Sequence, residues 1–229
     1  IGRRLRWIPT DPTSDLRMDA STLEAICDED PARPRLLILN YPGNPTGFSY
    51  SADQLEAIAE VARKYRVLVL SDEIYSGLNF SEPHVSIARF YPEGTIVSNG
   101  ISKWAGAGGW RMGAFAFPEN LRWLLGSMTT VASETFTSIS APIQYAAIEA
   151  FREGADMSAY LVGMQVILRL LMRTGADRLR QIGASVPEPH GGFYLFPDFE
   201  SYREALAVRG IVNSDQLCTA LLNETGVAT

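Results

Sequence analysis

Six residues carry side chains whose types and spacing could do chemistry together. Asn44, Asp72, Tyr75, Ser102, Lys103 and Arg111 supply an amide, a carboxylate, a phenol, a hydroxyl, an amine and a guanidinium. An amine becomes nucleophilic when burial and neighbouring cations lower its pKa. A carboxylate at the end of a buried strand is costly unless a partner pairs with it. A guanidinium offers a planar fork that can bind phosphate bidentately. Each residue also has a plainer reading. Asn44 could be a turn residue before Pro45, Tyr75 a core aromatic, and Asp72 the N-cap of a helix starting at Glu73. Ser102, Lys103 and Arg111 could be loop residues facing water. The elements that carry them decide between these readings.

Those elements alternate. Arg35–Asn40 is a short apolar run ending in turn residues, so it reads as a buried strand. Ser51 with Gln54 forms a capping box, and Leu55, Ile58, Ala59, Ala62 and Tyr65 line one helical face behind it. Val67–Leu70 and Thr95–Val97 read as two further strands, and Gly113–Phe117 as a fourth that stops at Pro118. Short apolar strands separated by helices predict an α/β fold: a mixed, mostly parallel sheet with helices on both faces. After Pro118 helices are expected over 120–128, 141–152 and 158–173. A strand follows at 193–196, then helices near 200–208 and 214–224. The boundary is placed near Gly154, giving a large domain over 1–154 and a smaller α+β domain over 155–229, with helix 158–173 as the connector.

Ligands of open α/β sheets sit at the carboxyl ends of the strands. There the chain places Asn40-Tyr41-Pro42-Gly43-Asn44, Ser71-Asp72-Glu73-Ile74-Tyr75 and Ser98-Asn99-Gly100-Ile101-Ser102-Lys103. Few ligands need a carboxylate and two cations on one edge; a phosphorylated, cationic heteroaromatic aldehyde does. Asn-Pro-Thr-Gly at 44–47, Asp-x-x-Tyr at 72–75, Ser-Lys at 102–103 and Arg111 eight residues on resemble the class I/II aminotransferases, fold-type I enzymes that use pyridoxal 5'-phosphate (PLP). His190-Gly191-Gly192-Phe193-Tyr194 also resembles the start of that family's small-domain strand. The rival motif Gly106-Ala107-Gly108-Gly109-Trp110-Arg111 is not a dinucleotide fingerprint. Its third glycine position holds Arg111, and it leads into a strand rather than a helix.

The resemblance implies a role for each residue. Lys103 is the Schiff-base lysine and proton shuttle, and Asp72 keeps the pyridine nitrogen protonated so that the ring is an electron sink. Tyr75 and Asn44 donate to the cofactor's ring oxygen, while Arg111 and Ser102 contact its phosphate. His84 and His190 match no cofactor position and read as structural. The implied activity is amino transfer between an amino acid and a 2-oxo acid, in a homodimer. A C–S lyase, or the effector-sensing module of a transcription regulator, would keep the same motifs, so these alternatives stay open. Gly100 departs from the family, where many members have a serine or threonine that contacts phosphate. The upstream glycine loop, the aromatic that stacks on the ring and the arginine that pairs with the substrate carboxylate are not found in 1–229. The isolated chain is therefore expected to bind PLP weakly.

Composition excludes other classes. The 229 residues are 46% hydrophobic and 20% charged, a profile that can build a core. The net charge of -6 argues against nucleic acid, and the Arg3, Arg4, Arg6 cluster is too short for a binding patch. Cys27 and Cys218 stand alone, which predicts neither a zinc site nor a disulfide framework, but buried thiols in a cytoplasmic protein. No apolar run approaches the roughly 20 residues of a membrane span, so no membrane association is expected.

Overall fold

A computed structural model describes residues 4–10, 16–152 and 154–229, so Arg3 of the basic cluster lies outside them. Four strands, β1 (Leu36–Asn40), β2 (Leu68–Asp72), β3 (Thr95–Gly100) and β4 (Gly113–Ala116), form one sheet in the order β1-β2-β3-β4. The first two pairings are parallel and the last is antiparallel, as expected of a mixed, mostly parallel sheet. Asn40 pairs with Asp72, and Asp72 with Ser98. The carboxyl ends of three strands therefore stand level on one edge.

One face of the sheet is packed by two helices. Helix α1 (Ala20–Asp28) is capped by Asp19, whose carboxylate accepts from the Ser21 amide; this helix was not foreseen in the sequence. Helix α2 (Ala52–Lys64) begins with the expected capping box, in which the Ser51 amide donates to Gln54 Oε1 at 2.9 Å. Leu23 and Cys27 of α1 and Leu55, Ile58 and Ala62 of α2 close over Leu37, Leu39 and Val69. Burying each large aliphatic side chain contributes about 1.5–3 kcal/mol, so this layer is the main core of the sheet. Burial also holds the Cys27 thiol above its usual pKa. The alternate residues Leu36 and Ile38 point the other way and are 56% and 64% exposed. Strands in parallel sheets are usually covered on both faces. At β1 the described residues cover only one.

Downstream come α3 (Arg122–Thr135), α4 (Ala141–Ala150), α5 (Ala155–Gln181), α6 (Arg203–Val208) and α7 (Ser214–Thr225). A second core gathers Ala147 of α4 and Leu168 of α5 against Tyr75, Leu78, Ile101 and Trp104, the segments that follow β2 and β3. Helix α5 is longer than its periodicity suggested. By length and average composition it could cross a membrane, the one such helix among the described residues. Yet Gln165 donates to the Gly77 carbonyl at 3.0 Å and Arg169 to that of Phe80, so α5 is tied to the turn after β2.

The strand expected at 193–196 does not form. Only isolated bridges occur there, Asn79 with Gly191 and Ser185 with Asp198. Gly192 adopts φ 71°, which turns the chain and breaks the two-residue alternation a strand needs. Phe193 and Tyr194 instead turn their rings toward Tyr75.

Candidate active site

Asp72 ends β2. Its carbonyl accepts from the Tyr41 amide and from Asn40 Nδ2, both at 3.2 Å, which fixes the strand end. Its carboxylate accepts one long bond, 3.4 Å from the Ile74 amide, and no other among the described residues. No helix starts at Glu73; the next helical turn begins at Ser76, with Tyr75 at its cap. The carboxylate is thus free to serve a ligand.

It lines a cavity of about 270 Å³ together with Ser98, Asn99, Ser102 and Arg111. Arg111 follows a short 3-10 turn, Gly108–Trp110, and sits at φ 54°, where its guanidinium donates to the Gly108 carbonyl at 2.9 Å. Its remaining N–H groups have no partner among the described residues, so the fork can accept an anion. A larger cavity, about 400 Å³, lies between Phe196, Phe199, Leu206, Ile211 and Leu217. It contains none of the six residues, and its lining is mostly apolar.

Beside it, Asn44, Tyr75 and Lys103 form a second group. Tyr75 is 3% exposed. Its hydroxyl donates to that of Tyr194 at 3.1 Å, and the Asn44 side chain acts on it from nearby. Burial raises the Tyr75 phenol well above its ordinary pKa; the Tyr194 bond and the nearby Asp72 charge add to this, and Asn44 opposes it. Asn44 itself is exposed, and its backbone amide is held by Asn40 Oδ1 at 2.9 Å. Lys103 is half-buried, with Nζ 5.4 Å from the Tyr75 ring centroid and 5.5 Å from that of Phe193. The 229 residues contain two lysines; the other, Lys64, is exposed and paired with Glu24.

Gly100, the departure from the family pattern, has a steric cause. It pairs with Gly113 across β3 and β4. A Cβ at Gly100 would stand 2.7 Å from the Met112 carbonyl oxygen and 3.1 Å from Gly113 Cα. Both are backbone atoms, so the close approach of the two strands excludes a side chain.

Sequence reasoning missed two sets of residues. In the sequence Phe193 and Tyr194 read only as the start of a strand, and nothing local signals that their rings reach Tyr75. Glu73 is 4% exposed beneath the site. Its carboxylate accepts from Ser71 Oγ at 2.8 Å and from Ser86 Oγ at 2.5 Å, and His84 Nε2 lies 2.9 Å away. The Tyr41 ring stacks on His84 at 5.2 Å. Burial raises the Glu73 pKa, but the His84 and Ser86 hydrogen bonds outweigh it and hold the group below the usual carboxylate range. A carboxylate adjoining Asp72 at a buried strand end was the available clue. His84 and His190 take structural places, His190 Nδ1 accepting from the Ser49 amide at 3.3 Å. No cluster of metal ligands occurs among the described residues.

A mixed, mostly parallel sheet with an amine, a carboxylate and an open guanidinium near its carboxyl edge makes this an α/β protein with a polar site at the strand ends. Residues 2–229 match the model of the aminotransferases, class I and II, and the chain belongs to that family. It is 34% identical to the asparagine–oxo-acid transaminase of Streptococcus mutans, over 94% of this chain and 54% of that protein. Identity to the aspartate aminotransferase of Geobacillus stearothermophilus is 37%, over 86% of this chain and 49% of that one. Among solved structures, a double mutant of Thermus thermophilus aspartate aminotransferase superposes with a TM-score of 0.84 at 28% identity. That match covers 96% of this chain and 54% of the other. The fold is therefore that of the fold-type I aminotransferases, and the chain spans about half the length of the curated relatives it matches.

Proposed function

We propose that the protein transfers an amino group between an amino acid and a 2-oxo acid, with PLP held in the 270 Å³ cavity. The observation that carries this reading is the shared cavity of Asp72, Ser102 and Arg111, with Lys103 following Ser102. The residues fit the cofactor: a carboxylate with an open oxygen, a hydroxyl and a guanidinium with open N–H groups meet in one space. When bound, PLP supplies an aldehyde carbon that takes up amines and a ring that draws electrons from the substrate's Cα.

The chain's own residues do the rest. Asp72 would hold the proton on the pyridine nitrogen, because a carboxylate beside it favours the charged form. Arg111 and Ser102 would bind the phosphate, the first as a charged fork and the second as a neutral donor. Asn44 and Tyr75 would donate to the ring oxygen; Tyr75 would do so by redirecting the hydrogen it now gives Tyr194. Lys103 would hold the cofactor through its amine, then take and return the proton at the substrate's Cα.

Relatives named as transaminases and aminotransferases support the enzyme over the regulator or C–S lyase that could share these residues. The division into a large domain over 1–154 and a smaller one over 155–229 is part of this reading, supported by the start of α5 at Ala155. So is a homodimer, for which the exposed Trp123, Val131 and Phe136 on and beside α3 provide apolar surface. Cytoplasmic residence is supported by two cysteines that remain free. Replacing Lys103 by Ala should abolish amino transfer while Lys64→Ala preserves it. Intact transfer in the Lys103 variant would refute the assignment.

A further inference from the structure

We propose that Phe193 is a positioning residue for Lys103, forming with Tyr75 a two-ring clasp that holds the ammonium when the amine is not bonded to cofactor. The inference rests on the reading of Lys103 as the reactive amine. The two ring centroids lie 5.4 Å and 5.5 Å from Nζ, within the distance at which a ring face attracts a cation. The rings stand 5.5 Å apart at 76° to each other, so the ammonium meets two surfaces rather than one. No carboxylate forms an ion pair with Lys103 among the described residues. The two ring faces are therefore the partners of its charged end.

The clasp is anchored from both loops that carry site residues. The His190 and Gly191 amides donate to the Gly47 carbonyl at 2.9 and 3.1 Å, which ties the segment to the turn carrying Asn44. The Gly192 amide donates to the Leu78 carbonyl at 3.1 Å, and the Phe80 amide to the His190 carbonyl at 2.9 Å, which ties it to the turn after Tyr75. Gly191 permits this approach: a Cβ there would stand 2.6 Å from Pro42 Cγ and 3.1 Å from Asn79 Cα. Lysine has a flexible four-carbon stem, so a fixed pair of rings restricts where its amine rests. The attraction acts on the cation and not on the neutral amine. The clasp therefore holds the charged end of Lys103 against the two rings.

Phe193 is 39% exposed, so Phe193→Leu should leave the fold intact. The test needs no cofactor. The purified protein is treated briefly with acetic anhydride near neutral pH, and acetylation of the two lysines is quantified by mass spectrometry. Cation–ring attraction of the size found at exposed sites predicts that Lys103 labels about two- to fivefold faster in Phe193→Leu than in the parent. Phe193→Trp should label no faster than the parent, and Lys64 should label equally in all three. After reductive methylation with 13C-formaldehyde, the Lys103 methyl signal should lie upfield of free dimethyl-lysine and move toward it in Phe193→Leu. Equal Lys103 labelling and an unchanged methyl signal in the leucine variant would overturn the proposal. Because PLP is absent, this result is separate from whether Lys103 reacts with the cofactor, which borohydride trapping decides.

Discussion

The hydroxyls of Tyr75 and Tyr194, 119 residues apart in the chain, meet at 3.1 Å. One follows the strand that ends in Asp72; the other follows the glycine pair at 191–192. This bond joins the C-terminal part of the chain to the proposed cofactor-facing phenol. It also adds to the burial that raises the Tyr75 pKa. Tyr194→Phe should therefore let Tyr75 ionise at lower pH. The check is an ultraviolet difference titration of Tyr194→Phe with Tyr75→Phe as the baseline. Urea unfolding of Tyr194→Phe should show a loss of about 0.5–1.5 kcal/mol, the net value of one hydrogen bond.

Glu73 predicts a specific pH dependence of stability. Its folded pKa is depressed, the His84 and Ser86 bonds outweighing burial. Its contribution is therefore fully present above the unfolded value, about 4.3, and is lost as pH falls through the folded value. Glu73→Gln should cost about 1.5–3 kcal/mol at neutral pH, because bonds to a charged acceptor become neutral ones. The deficit should shrink toward acid. Urea midpoints from neutral to acid pH measure this, and a deficit constant with pH would contradict it.

How much of this was legible beforehand depended on whether the signal was local. The strands at Leu36–Asn40, Leu68–Asp72 and Thr95–Gly100 were legible because each is an apolar run with polar residues at its carboxyl end. The α2 capping box was legible because Ser51 and Gln54 are three residues apart. Helix α1 went unnoticed because Asp19 caps only a short amphipathic segment. The 193–196 segment has strand-like composition, but its aromatic rings are used against Tyr75 and Lys103. No sequence window contains those partners. Asp72, Ser102 and Arg111 could be named from motif spacing, whereas their common cavity could not.

Gly100→Ser, which would supply a hydroxyl where many family members have one, should destabilise the chain. Its Cβ would meet the Met112 carbonyl oxygen at 2.7 Å and Gly113 Cα at 3.1 Å, so the start of β4 must shift. Forcing an added group into such a contact costs about 1–3 kcal/mol. Urea or thermal unfolding of the variant against the parent checks this, and unchanged stability would mean that the strands part easily.

Arg111→Ala should weaken PLP binding more than Ser102→Ala. A charged contact to phosphate is worth about 1.5–3 kcal/mol, or roughly a tenfold to 150-fold change in Kd, against about 1 kcal/mol for a neutral donor. Arg111→Lys should recover only part of the loss, because an ammonium cannot present the planar fork. Fluorescence titration with PLP ranks the three variants; equal affinities would remove Arg111 from the phosphate site.

Capture of the cofactor by Lys103 is directly measurable, because the chain has two lysines. Purified protein is mixed with PLP, reduced with borohydride, digested, and mapped by mass spectrometry. The reduced pyridoxyl group is expected on the peptide containing Lys103, with an absorbance band lost in Lys103→Ala and no comparable labelling of Lys64. Labelling of Lys64 in preference to Lys103, or equal labelling of both, would contradict capture by Lys103.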